Sequence, residues 1–95
     1  MTLQEFKTTL TQSSPPSSIN KLLQAMWFDA KDDWEAAHNI AQDIHTSEGS
    51  WVHAYLHRKE GDTGNASYWY HKANKKLPTV SLELEWEEIV IDFLR

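Results

Sequence analysis

The sequence predicts an all-α chain of five or six helices, and three observations carry that reading. Apolar residues recur at three- and four-residue intervals through most of the 95 residues. Serine, threonine and aspartate residues suited to capping stand just ahead of several of these runs. No segment alternates apolar and polar residues as a half-buried strand does. A chain of this length forms one domain, 1–95, whose helices must share a single core.

Thr2 and Glu5 have capping-box spacing, and Leu3, Phe6 and Leu10 follow at helical intervals, so a short amphipathic helix is expected over 1–12. The SSPPSS run cannot extend it, which makes 13–18 a turn or linker. From Ile19 the pattern IxxLLxAMxF turns Leu22, Ala25, Met26 and Phe28 inward. Asp32 stands three residues before Glu35 and is expected to cap the next helix, through Ala37, Ile40, Ala41 and Ile44. The short connection at Ala30 and Lys31 makes these two helices antiparallel neighbours. Thr46-Ser47-Glu48-Gly49 reads as a break. Beyond it a third helix carries Trp51, Ala54, Tyr55 and Leu56 up to Glu60. Gly61 suits a left-handed helix end, and Asp62 suits the cap of a fourth helix bearing Ala66, Trp69, Tyr70 and Ala73, followed by Pro78. Ser81 caps a final helix over 81–95 with a stripe of Leu82, Trp86, Ile89, Val90 and Phe93.

An internal repeat runs through the middle. Ala25 and Ala37 are twelve residues apart, as are Ala54 and Ala66, and the two pairs are offset by 29. Small residues at these positions let helix backbones approach closely. The pattern resembles the tetratricopeptide repeat, best in Ala54, the bend Gly61-Asp62, Ala66-x-x-x-Tyr70, Ala73 and Pro78, and more loosely in Ala25, Phe28 and Asp33-Trp34-Glu35-Ala36-Ala37. The resemblance implies two antiparallel helical hairpins over 18–78, with 81–95 as a closing helix over the last apolar face. The offset is shorter than the usual 34 of that repeat, and His53 and His57 stand where the family prefers a leucine and a tyrosine. The run HAYLHRKEGDxxNAxYWY is also similar to one in a family of small uncharacterised bacterial proteins, which implies that its polar residues act as a set.

The formal net charge is −5 and no long Lys/Arg block occurs, so the footprint of a nucleic-acid binder is missing. Local basic groups at His57-Arg58-Lys59 and at Lys72, Lys75 and Lys76 leave room for a small anion or an acidic peptide tail. Glu83, Glu85, Glu87, Glu88 and Asp92 read as a solvated helix face. The absence of cysteine excludes disulfides and thiolate chemistry. MTLQEFKTTL lacks the basic-then-apolar build of a leader, and no apolar run reaches the length of a membrane span, so a cytoplasmic location is expected.

Two groups of residues invite a function. In the repeat family the side of helix three that carries Trp51, Tyr55 and Arg58 lines a groove that grips an extended peptide or its carboxylate. The resemblance therefore implies a protein or peptide partner met by these three, with Tyr68 or Trp69 as a further contact. Arginine's planar fork suits a carboxylate. On that reading Arg58→Ala would leave stability nearly unchanged and abolish capture, and no cofactor is called for. The second group is His53, His57 and Glu60, at i, i+4 and i+7, with His38 facing them if the second and third helices stack. Such a set can ligate zinc or another divalent transition metal and support a metal-dependent hydrolase. HAYLH places Ala54 where the zinc-protease helix has its glutamate base, so that mechanism is not implied. Histidines on a half-buried face more often satisfy hydrogen bonds, so His53, His57, Glu60 and Asn65 are expected first as a structural polar network, with the metal site as the alternative. EGDTGN matches no phosphate-binding fingerprint.

Overall fold

The computed structural model describes every residue from Met1 to Arg95 and contains six α-helices and no strand. They are α1 (Leu3–Thr8, continued by a 3-10 turn over Thr9–Thr11), α2 (Lys21–Ala30), α3 (Trp34–Gln42), α4 (Ser47–Lys59), α5 (Thr63–Lys72) and α6 (Leu82–Phe93). Every one begins with a side-chain cap: Thr2, Asn20, Asp33, Thr46, Asp62 and Ser81 each accept a backbone N–H from the helix's first turn. Thr2 and Glu5 form the expected reciprocal box.

Two starts differ from the sequence reading. Asp33 rather than Asp32 caps α3, because Asp32 takes the left-handed conformation (φ 63°) that ends α2. Thr46 to Gly49 does not break the chain but opens α4, with Thr46 as cap and Ser47 to Gly49 as its first turn. Gly49 is there for close approach. A methyl group on it would lie 2.0 Å from the Ile44 carbonyl oxygen, so the loop from α3 passes flush against α4. Gly49→Ala is expected to destabilise by about 1–3 kcal/mol, through displaced backbone, which urea denaturation will measure.

The hairpins α2–α3 and α4–α5 are built alike. In the first turn the Asp33 N–H donates to the Phe28 carbonyl, 2.9 Å; in the second the Asp62 N–H donates to the His57 carbonyl, 2.9 Å. Asp32 and Gly61 hold the left-handed position in each. All these counterparts are 29 residues apart, the offset of the alanine pairs. Ala25, Ala37, Ala54 and Ala66 are all buried.

Within the bundle α4 packs most extensively against α5, α2 against α3, and α3 bridges to α4. Helix α6 lies across α2 and α4, the first helices of both hairpins, and α1 leans on α6. Trp86 anchors it, donating its indole N–H to the Met26 carbonyl (3.1 Å) with Phe6 against its ring. As a result α4 is enclosed on all sides, and every residue from Gly49 to His57 is buried. No helix is long and apolar enough to cross a membrane.

Candidate metal centre

Since α4 is surrounded, its polar residues must find partners on two opposite flanks. On the flank towards α6 the partners are acids. Glu85, only 2 % exposed, accepts from the Trp51 indole N–H (3.2 Å), the Arg58 guanidinium (2.8 Å) and the Tyr70 hydroxyl (2.7 Å). Arg58 also donates to the Val80 carbonyl. Asp29 accepts from the Tyr55 hydroxyl (3.0 Å) and Lys59 (2.9 Å). Burial and the adjoining carboxylates push both tyrosine hydroxyls well above the usual phenol range. Trp51, Tyr55 and Arg58 are therefore engaged within the fold: Glu85 of α6 accepts from Trp51 and Arg58, and Asp29 of α2 from Tyr55. Glu85 is likewise not part of a solvated face. Of the other two residues expected at a partner surface, Tyr68 is exposed, whereas Trp69 is half-buried against the histidines described next.

On the flank towards α3 and α5 the residues are imidazoles. His53 and His57, one turn apart on α4, meet His38 of α3, and one nitrogen from each ring lies within 4.8 Å of the other two. His38 Nε2 and His53 Nε2 are 3.0 Å apart, so that a single proton is shared between them. Trp34 stacks on His38 (centroids 4.8 Å apart) and donates its indole N–H to the Leu56 carbonyl, 2.8 Å. Trp69 of α5 stacks on His53 from the other side, at 4.1 Å. The trio is thus held between two indoles, one carried by α3 and the other by α5.

His57 Nδ1 donates to Glu60 Oε2 at 2.6 Å, so Nε2 is the ring nitrogen left for a ligand. Burial, reinforced by His38 and His57, lowers the His53 pKa to about 4. Burial and then His57 lower that of His38 as well, against an opposing pull from Glu60. Both rings are therefore neutral at pH 7, the form that ligates metals.

This has a consequence for metal-free protein. A histidine whose folded pKa lies below its unfolded value contributes stability that is complete above about pH 6.5 and is lost as pH falls towards 4. The expected loss across that window is about 2 kcal/mol, discounted for the water that the ring edge still meets. Urea denaturation at stepped pH in chelator, with His53→Gln as the reference, should show a steeper acid limb in the parent.

The sequence reading proposed His38, His53, His57 and Glu60 as a set, and the structure brings the four together, Glu60 through His57 rather than at the centre. Asn65 instead bonds Asp62, the cap of α5. The two indole walls were not foreseen in that role, although Trp34 sits four residues before His38, on the same side of α3. Compared with protein-family models, curated proteins and solved structures, the chain matches none.

Proposed function

We propose that the chain holds one divalent transition-metal ion, zinc first, on His38, His53 and His57. The observation that carries this reading is the convergence of three imidazole nitrogens, within 4.8 Å of one another, between two stacked indoles. Nitrogens bound tetrahedrally to zinc at 2.0–2.1 Å stand about 3.3 Å apart. The His38–His53 spacing of 3.0 Å is close to that, and the His57 nitrogen, within 4.8 Å of both, has to close in to complete the set. Glu60 supports the assignment, because a carboxylate on the far nitrogen of a ligating histidine fixes its tautomer and raises its basicity. With no thiolate in the set, nickel and copper compete with zinc.

A second group of His57, Glu60 and Asp62 also lies within ligating distance, but Asp62 is committed to capping α5. The peptide-gripping reading of Trp51, Tyr55 and Arg58 has less support, since all three are engaged with Asp29, Glu85 and Val80. Three protein ligands leave a fourth position for water, as catalytic zinc sites do, and that favours hydrolysis as the second reading.

Cobalt titration of chelator-treated protein tests the proposal. One equivalent should produce the visible absorption of a tetrahedral ion, and His53→Ala combined with His57→Ala should remove it. Glu60→Gln should keep the stoichiometry while weakening binding about 10–100-fold. Absence of the absorption, or its persistence in the double variant, would contradict the reading.

A further inference from the structure

The inner stripe of α6, formed by Trp86, Ile89 and Val90, is buried, so the outer face of the helix has no core to serve and is expected to be polar. Instead Leu84 and Ile91, two turns apart on that face, are 44 % and 41 % exposed, with Glu88 between them. Leu77, on the α5–α6 connection and 59 % exposed, lines one cavity together with Glu88 and so adjoins them. These are three of the five large apolar side chains that the fold leaves exposed, the others being Met1 and Tyr68. A lone exposed leucine is ordinary, but three sharing one surface mark a place where another molecule docks.

Charge identifies what fits there. Along Leu82–Phe93, α6 carries Glu83, Glu85, Glu87, Glu88 and Asp92 and no basic residue. Glu85 is buried and Glu87 is taken by Lys7, which leaves Glu83, Glu88 and Asp92 exposed and without an ion pair. Lys75 and Lys76 line the cavity beside Leu77, but Lys75 is drawn over the Trp51 ring, 4.0 Å from its centre. A second copy fits poorly: the antiparallel pairing of α6 with itself that joins Leu84 to Ile91 sets Glu88 against like acids at the same level, and like charges across an interface cost affinity. An anionic lipid surface is repelled by the same carboxylates. A partner helix with one apolar side bordered by lysine or arginine meets both features, and anchors at i and i+7 on such a helix match the two-turn spacing of Leu84 and Ile91.

We infer that the outer face of α6 docks a basic amphipathic helix of another protein, whose apolar side rests on Leu77, Leu84 and Ile91 and whose cations meet Glu83, Glu88 and Asp92. This face belongs to α6 and not to the histidine flank of α4, so docking and metal binding can fail separately. The test is titration with a synthetic helical peptide of leucine and lysine, its leucines at three- and four-residue intervals, followed by amide NMR. Saturable shifts should centre on α6 from Leu84 to Ile91. Leu84→Gln combined with Ile91→Gln should weaken binding by about tenfold, the loss of two apolar anchors, and Glu88→Gln combined with Asp92→Asn severalfold. A peptide of the same composition in scrambled order should bind about tenfold more weakly, because it keeps the charge and loses the apolar side. All four substituted side chains are exposed, and the same spectra report whether the variants are folded. Equal binding by the parent and the Leu84→Gln, Ile91→Gln variant, shifts centred elsewhere, or equal binding of the scrambled peptide would overturn the inference. Self-association of the parent without peptide, seen as a sedimentation coefficient that rises with concentration and is abolished in that variant, would also overturn it, since a second copy would then cover the face.

Discussion

Glu85→Ala is expected to cost the fold about 3–5 kcal/mol, the loss typical of a buried ion pair deprived of one partner. The carboxylate is the common acceptor for Trp51, Arg58 and Tyr70, which come from two helices of the second hairpin, while Glu85 itself belongs to α6. Its removal leaves a guanidinium only 23 % exposed without its counter-charge, and an indole N–H and a phenol hydroxyl without their acceptor. Arg58→Ala should fall in the same range, because it leaves the 2 % exposed carboxylate without its counter-charge. This is the reverse of what the repeat resemblance implied for Arg58. Against a total stability of about 5–15 kcal/mol for a small domain, either change leaves a marginal protein. Replacing Glu85 and Arg58 together by methionine should recover the part of the loss due to the unpaired charge, while Trp51 and Tyr70 still lack their acceptor. Urea denaturation of the three variants decides it: single variants within about 1 kcal/mol of the parent would mean that the network does not fasten α6.

The second large effect is linked to metal. An ion that binds the folded chain alone stabilises it by about 2.7 kcal/mol at a free concentration one hundred times Kd, and by more at higher excess. Zinc should therefore raise the denaturation midpoint of the parent and leave that of the His53→Ala, His57→Ala variant unmoved. Zinc should also flatten the acid limb of the parent only above the pH at which protons displace it, because ligation requires neutral rings. A midpoint that moves equally in both proteins would place the ion elsewhere.

How far the sequence led is clearest residue by residue. The helices were legible because caps and periodicity are local: Thr2, Asp62 and Ser81 act as read, and the left-handed turn at Gly61 follows from its missing Cβ. Asp32 was misplaced by one position because Asp32 and Asp33 both suit a helix boundary, and only backbone geometry decides which bends and which caps. Gly49 looked like a break because glycine is a poor helix former. Its reason, the Ile44 carbonyl against it, is a tertiary contact invisible along the chain. Glu85 was misread as solvated because it sits among other acids. Its spacing from Leu82, Trp86 and Ile89 nevertheless puts it on the inward stripe. The histidines were legible as a set on α4 from their one-turn spacing. That His38 joins them, and that Trp34 and Trp69 close the sides, depends on how α3 and α5 dock, which periodicity does not specify.

The most direct measurement is a crystal of the zinc-soaked protein with diffraction recorded on both sides of the zinc absorption edge. The account predicts a single anomalous peak about 2.0–2.1 Å from nitrogens of His38, His53 and His57, with Glu60 still on the far side of His57. A well-ordered protein with no peak among those three rings, or with its only peak on Glu60 and Asp62, would contradict it.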